Sequence, residues 1–99
     1  MYLISYDIEK DSLRTKIAHH LIANGLYRIQ YSVYLGTLSE QDYAALEVWL
    51  NNAMQQANTQ KDSIMILKLE KPQVKTMKIL GISKHDIDEI VGDKRSLVI

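Results

Sequence analysis

Tyr2-Leu3-Ile4-Ser5-Tyr6-Asp7-Ile8 is the stretch on which the fold turns. It is rich in β-branched and aromatic types and almost continuously apolar, the pattern of a strand covered on both faces. It is therefore read as a central strand. Asp7, Glu9, Lys10 and Asp11 close it, and Asp11 is placed to cap a helix whose apolar side is Leu13, Ile17, Ala18, Leu21 and Ile22. Gly25 stands where such a helix ends.

Outward from that unit the period changes. Tyr27, Ile29, Tyr31, Val33 and Leu35 alternate with Arg28, Gln30, Ser32 and Tyr34, which predicts a strand with one polar face, broken at Gly36. Ser39 followed by Asp42 resembles a capping box and opens a second helix with Tyr43, Leu46, Leu50, Ala53, Met54 and Ala57 as its buried stripe. The helix fades into the polar run Gln55 to Asp62. Ser63 to Leu69 is again apolar except for Lys68, so a second doubly covered strand is expected, with Pro72 marking the turn beyond it. Strand, helix, strand, strand-like return and helix in this order predict an α+β domain, a ferredoxin-like βαββαβ sandwich with an antiparallel sheet. In that plan the first and third strands are central. The two apolar runs are assigned there, and the alternating strand is assigned to an outer position. Met77 to Ile82 is the expected fourth strand, Ser83 to Val91 a short helix ending at Gly92, and Ser96 to Ile99 a short extra C-terminal strand able to join a partner's sheet edge.

With 99 residues the chain makes a single domain over residues 1–99. A domain of this size buries only about two-thirds of the surface its unfolded chain exposes, so completion of the core by a second subunit is expected. Lys plus Arg and Asp plus Glu each number 12, which removes overall positive charge as an argument for binding nucleic acid. A polyanion must then meet a local patch, and Lys68, Lys71, Lys75 and Lys78 are candidates for a basic edge. The absence of Cys excludes a disulfide framework and thiolate metal sites. No apolar run reaches the roughly 20 residues of a membrane span and no signal peptide is recognisable, so a cytoplasmic protein without membrane contact is expected.

The residue that stands out chemically is Asp7, a carboxylate among Tyr2, Leu3, Ile4, Tyr6 and Ile8. Two readings are open. It accepts backbone N–H groups at the strand's exit, or it binds a metal ion. One carboxylate per chain is a poor Mg2+ site, whereas two related by a dimer axis, with waters and a substrate phosphate, match how this ion is held. Arg14, Lys16 and Arg28 supply nearby positive charge that either grips phosphates or is simply solvated. Tyr6 and Tyr34 either stack on a base or pack in the sheet. His19 and His20 point about 100° apart on a helix and His85 has no matching ligand spacing, so no zinc site is expected. A Gly-rich phosphate loop and an RNP-like aromatic pattern are both missing.

Tyr6-Asp7-Ile8, Asp11 with Arg14 and Lys16, and the run from Gly25 to Gly36 (Gly-Leu-Tyr-Arg-Ile-Gln-Tyr-Ser-Val-Tyr-Leu-Gly) together resemble the signature of the CRISPR-associated Cas-two family, small endonucleases of spacer acquisition. Order, spacing and residue types agree over roughly the first 36 to 40 residues. The resemblance implies a ferredoxin-like homodimer joined through its sheets with both copies of Asp7 near the dyad. It implies an endonuclease dependent on Mg2+, or alternatively Mn2+, acting on RNA or duplex DNA, and a partnership with the CRISPR integrase. The site residues it implies are Asp7 as metal ligand, together with Tyr6, Arg14, Lys16, Arg28 and Tyr34. Two of these are departures, since Arg is as usual as Lys at position 16 and Phe is commoner than Tyr at position 34. Other readings are a non-catalytic dimeric scaffold that binds duplex DNA and bridges integrase subunits, and, more remotely, a ribonuclease toxin of related fold.

Overall fold

A computed structural model of the chain describes residues 1–58, 60–81 and 86–92. The element order is β1 (Tyr2–Asp7), α1 (Asp11–Ala23), β2 (Tyr27–Gln30), β3 (Val33–Gly36), α2 (Glu40–Ala53), a 3-10 turn (Met54–Gln56), β4 (Ser63–Lys68), α3 (Lys71–Lys75) and α4 (Ile87–Val91). The strands form one antiparallel sheet in the order β2-β3-β1-β4. This is the ferredoxin-like α+β plan, with β1 and β3 inside and β2 at an edge.

The principal core lies between the sheet and the two long helices. Ile4, Tyr6 and Ile8 meet Leu13, Ile17, Ala18 and Leu21 of α1 and Leu46, Leu50 and Ala53 of α2. Complete burial of a Leu or Ile side chain stabilises by about 1.5–3 kcal/mol, so this layer is the main source of stability. Ser39 caps α2, its Oγ accepting the Asp42 N–H at 3.0 Å, a bond worth about 1 kcal/mol. Gly25 ends α1 with φ +87°, a left-handed conformation that a side chain would strain. On the opposite face of the sheet Ile29, Leu35, Val74, Ile90 and Val91 form a second, smaller core.

Several expectations are corrected. Residues 27–35 are not one strand but a hairpin turning at Tyr31 and Ser32. Arg28 faces Tyr34 and Gln30 faces Val33, so Ile29 is a bulge residue that lets a period-two sequence fold back on itself. Ser63–Lys68 is an edge strand, not a central doubly covered one. Ile64 and Ile66 pack on the main core, while Met65 and Leu67 are 61% and 50% exposed. Because β4 closes the βαββαβ unit, no fourth strand is needed at 77–82, and Met77–Leu80 is irregular; Ile82 lies outside the described residues. Asp11 does not cap α1; it is its first residue, and Lys10 holds the cap position without a side-chain bond. Ile22 is 51% exposed and not part of the buried side. Pro72 sits in the first turn of α3, where its missing N–H is harmless. α4 begins only after Asp86 and ends at Gly92, as expected, while Ser83, Lys84 and His85 and the expected strand Ser96–Ile99 lie outside the described residues.

Candidate functional site

β1 leaves the sheet at Asp7, beside Ser63 of β4. Alternation along β1 sends Tyr2, Ile4 and Tyr6 into the core and leaves Asp7 exposed at the strand's exit. The carboxylate is thus hydrated rather than embedded, and the desolvation reasoning that singled it out does not apply. Its position remains distinctive. A hollow of about 220 Å3 is lined by Tyr6, Asp7, Ile8, Arg14, Tyr31 and Ser32. A second of about 250 Å3 shares Tyr6, Arg14 and Tyr31 and adds Arg28 and His19. The two make one cleft between the start of α1 and the tip of the β2–β3 hairpin.

Each wall is fixed by local bonds. Arg14 donates through Nη1 to the Ile8 carbonyl at 2.9 Å and the Glu9 carbonyl at 3.2 Å, and through Nη2 to the Asp11 carboxylate. That hydrogen bond raises the already high pKa of Arg14, so its charge is permanent. Arg28 donates through Nε to the Tyr31 carbonyl at 3.0 Å, which bridges the hairpin turn. Its guanidinium lies 5.2 Å from the Tyr31 ring centre and 5.6 Å from that of Tyr34, within range of a cation–π attraction. Beneath them Tyr34 is wholly buried, and its hydroxyl is 3.4 Å from that of Tyr6, itself 4% exposed. Burial, reinforced by the contact with Tyr6, pushes the Tyr34 hydroxyl well above the usual tyrosine range. It is a neutral packing group. Neither ring presents a face on which a base can stack, which decides that pair of alternatives in favour of packing within the protomer.

Tyr6, Asp7, Arg14, Arg28 and Tyr34 therefore gather at one end of the sheet. Lys16 does not join them. Its Nζ is 5.7 Å from the Trp49 ring on the α2 side of α1, where His20 stacks on the same ring at 3.7 Å between centroids. Burial there lowers the His20 pKa. Tyr31 and Ser32 were not singled out from sequence; a Ser beside an aromatic residue at the midpoint of an alternating run is the available turn signal. Lys68 lies opposite Tyr2 and is followed by α3, so the candidate basic edge begins at the other end of β1, about 17 Å away for a six-residue strand.

A model of the family described as CRISPR associated protein Cas2 matches residues 1–77. The chain belongs to the Cas2 family. Among its relatives, the CRISPR-associated endoribonuclease Cas2 of Aeropyrum pernix is 34% identical over 93 residues, covering 90% of this chain and 94% of that protein. A protein of Methanospirillum hungatei carrying the name CRISPR-associated endoribonuclease Cas2 1 is 37% identical over 68 residues, or 69% of this chain and 66% of that one. Crystalline Cas2 of Streptococcus pyogenes superposes with a TM-score of 0.68 at 20% identity, over 81% of this chain and 98% of its own, a likeness of fold. A hypothetical protein of Thermus thermophilus gives 0.65 at 26% identity, over 85% and 93% of the two chains. The matched residues of this Cas2 protein include β1 through α3 and the whole cleft. No helix among the described residues is long and apolar enough to cross a membrane.

Proposed function

We propose that this Cas2 protein is a metal-dependent endonuclease of spacer acquisition, acting in the cytoplasm as a homodimer that cleaves phosphodiester bonds in RNA or DNA and docks on the CRISPR integrase. The observation that carries this reading is the cleft itself, in which an exposed carboxylate, Asp7, shares a wall with a permanently charged guanidinium, Arg14. The endoribonuclease names of the relatives favour RNA as a substrate.

No three His, Cys, Asp or Glu side chains converge among the described residues, so one protomer offers a metal a single carboxylate at this cleft. Mg2+ is commonly held by one or two carboxylates with waters and substrate phosphate, and the donor chemistry fits once a second protomer brings its own Asp7. Such an ion, or Mn2+ in its place, supplies Lewis acidity at the scissile phosphate and a more easily ionised water. The chain's own groups do the rest. Arg14 and Arg28 present fixed positive charge to the flanking phosphates, preorganised by their bonds to backbone carbonyls. Tyr6 and Tyr34 form the rigid floor under Arg28, and Lys16 adds charge from the far side of α1. The exposed Met65 and Leu67, on the sheet face turned away from the long helices, are the surface through which protomers pair.

The test is cleavage of a single-stranded RNA oligonucleotide and of duplex DNA with Mg2+ present or chelated, comparing wild type with Asp7→Asn. A loss of about 100-fold or more in the variant, with an unchanged dimer mass by light scattering, is expected. Full metal-dependent activity in the Asp7→Asn dimer would falsify the catalytic account. A second reading is favoured by the distance between the cleft and the lysine-bearing end of the sheet, a layout suited to holding a duplex without cutting it. In that scaffold role, Asp7→Asn retains integrase pull-down and wild type shows no metal-dependent cutting.

A further inference from the structure

The segment that follows Asp7 is held from two sides, and one of the residues holding it stands outside the cleft. On the helix side Arg14 binds the carbonyls of Ile8 and Glu9. On the other side the Asp62 carboxylate accepts the Glu9 N–H through Oδ1 at 3.0 Å and the Asn58 N–H through Oδ2 at 2.9 Å. The Asp62 amide in turn donates to the Asn58 carbonyl at 2.8 Å, a second bond between the same two residues. One oxygen of the side chain thus joins the loop after β1 to the loop before β4, and the other fastens the side chain to its own loop. The Ile8–Glu9 peptide unit is gripped at its N–H by Asp62 and at its carbonyl, that of Ile8, by Arg14.

We propose that Asp62 is a positioning residue for the reaction: by fixing the Glu9 peptide it sets the direction in which the Asp7 carboxylate leaves β1. The inference rests on the nuclease reading of the cleft. Register supports it, because Asp7 pairs with Ser63 and Asp62 is the next residue, so the clamp acts within two residues of the carboxylate along either strand. Bonds from a carboxylate to backbone N–H groups are short, directional and charge-assisted, which suits them to fixing a peptide plane. Asp62 is half-buried and its two bonds lie at the surface, which makes the role one of geometry rather than stability. When the side chain is removed, water satisfies the freed amides, so folding loses little while the loop gains freedom. A catalytic group displaced by about 1 Å costs on the order of 100-fold in rate.

The experiment measures kcat and KM on single-stranded RNA with Mg2+, thermal midpoints, and hydrogen exchange at the Glu9 amide by NMR. It compares wild type, Asp62→Ala, Asp62→Asn and Asp7→Ala. For Asp62→Ala, kcat falls about 10- to 100-fold with KM within about twofold, and the Glu9 amide exchanges faster. Asp62→Asn keeps one acceptor oxygen and recovers part of the rate; it also decides the matter if the alanine variant does not fold. Unchanged kcat in the Asp62 variants beside an inactive Asp7→Ala overturns the role given to Asp62 alone. Loss of rate that only follows loss of fold, with Glu9 exchange unaltered below the melting range, overturns it as well. Full activity in Asp7→Ala instead overturns the nuclease reading on which the inference stands.

Discussion

Lys16 and Arg28 show how a residue's place is set by the element that carries it. Arg14 and Lys16 are two positions apart on a helix and so diverge by about 200° around its axis. Arg14 lines the cleft with Thr15, Ala18, His19 and Ile22, a run spaced for one helix face, and Lys16 looks toward Trp49 with His20. That divergence was legible in the spacing, but proximity in sequence and the family resemblance grouped the two. Lys16→Ala is expected to lower cleavage no more than about threefold, and Arg28→Ala about tenfold or more, as for a lost charge-assisted bond of 1.5 kcal/mol or above. Parallel initial-rate measurements on one RNA decide between them. Asp7 was found for a reason that failed, burial, and is retained for one that only the folded chain supplies, its neighbours. Beneath the site, Tyr34 carries a pH dependence. Its pKa is raised above the ordinary 10.0 by burial and by Tyr6, so the unfolded chain loses this proton first. Stability is complete below about pH 10 and declines as pH rises beyond it. Tyr34→Phe should flatten that alkaline decline, read as urea midpoints between pH 8 and about 11.

Elements were legible where a local rule acts alone. The Ser39 cap, the Gly25 and Gly92 stops and the Leu46, Leu50 and Ala53 part of the stripe expected on α2 all follow from short-range chemistry, while Met54 and Ala57 lie beyond the helix and Tyr43 is half-buried. The hairpin was hidden because its turn contains neither Gly, Pro nor Asn. Its bulge at Ile29 shifts the register by one residue, which a continuous alternation cannot reveal. Gly36, the last residue of β3, is crowded in a way equally invisible in sequence: a Cβ there would lie 2.6 Å from Leu26 Cδ2 and 3.2 Å from Leu26 Cα. Between the helices, the stack of His20 on Trp49 joins α1 to α2 with Lys16 over the same ring. Burial lowers the His20 pKa below 6.5, so the unfolded chain takes up this proton more readily. The contribution is present above about pH 6.5 and lost as pH falls through the folded-state value. The difference in urea midpoint between pH 7 and pH 5 should be smaller in His20→Gln than in wild type, with fluorescence of the single Trp as the probe.

For the whole molecule, β1 took the central place foreseen for it, but the other central strand is β3, from the stretch assigned to an outer position, and the second apolar run proved to be β4, at the edge. β4 is apolar on both faces, and among the described residues only one of them is covered. Helix packing accounts for Ile64 and Ile66, and the homodimer proposed above would account for Met65 and Leu67. Leu67→Glu places a charge on that face without touching the main core. It should convert the proposed homodimer to monomers at micromolar concentration, seen by light scattering, while far-UV circular dichroism is kept.

β4 has β1 on one side and, among the described residues, no strand on the other. Among the described residues the outer edge of β4 therefore carries amides and carbonyls without a ladder partner beside the exposed Met65 and Leu67, a template for an added extended strand. With the pairing proposed above, yield in a heterologous host should therefore depend on how soon subunits meet as well as on how well each one folds.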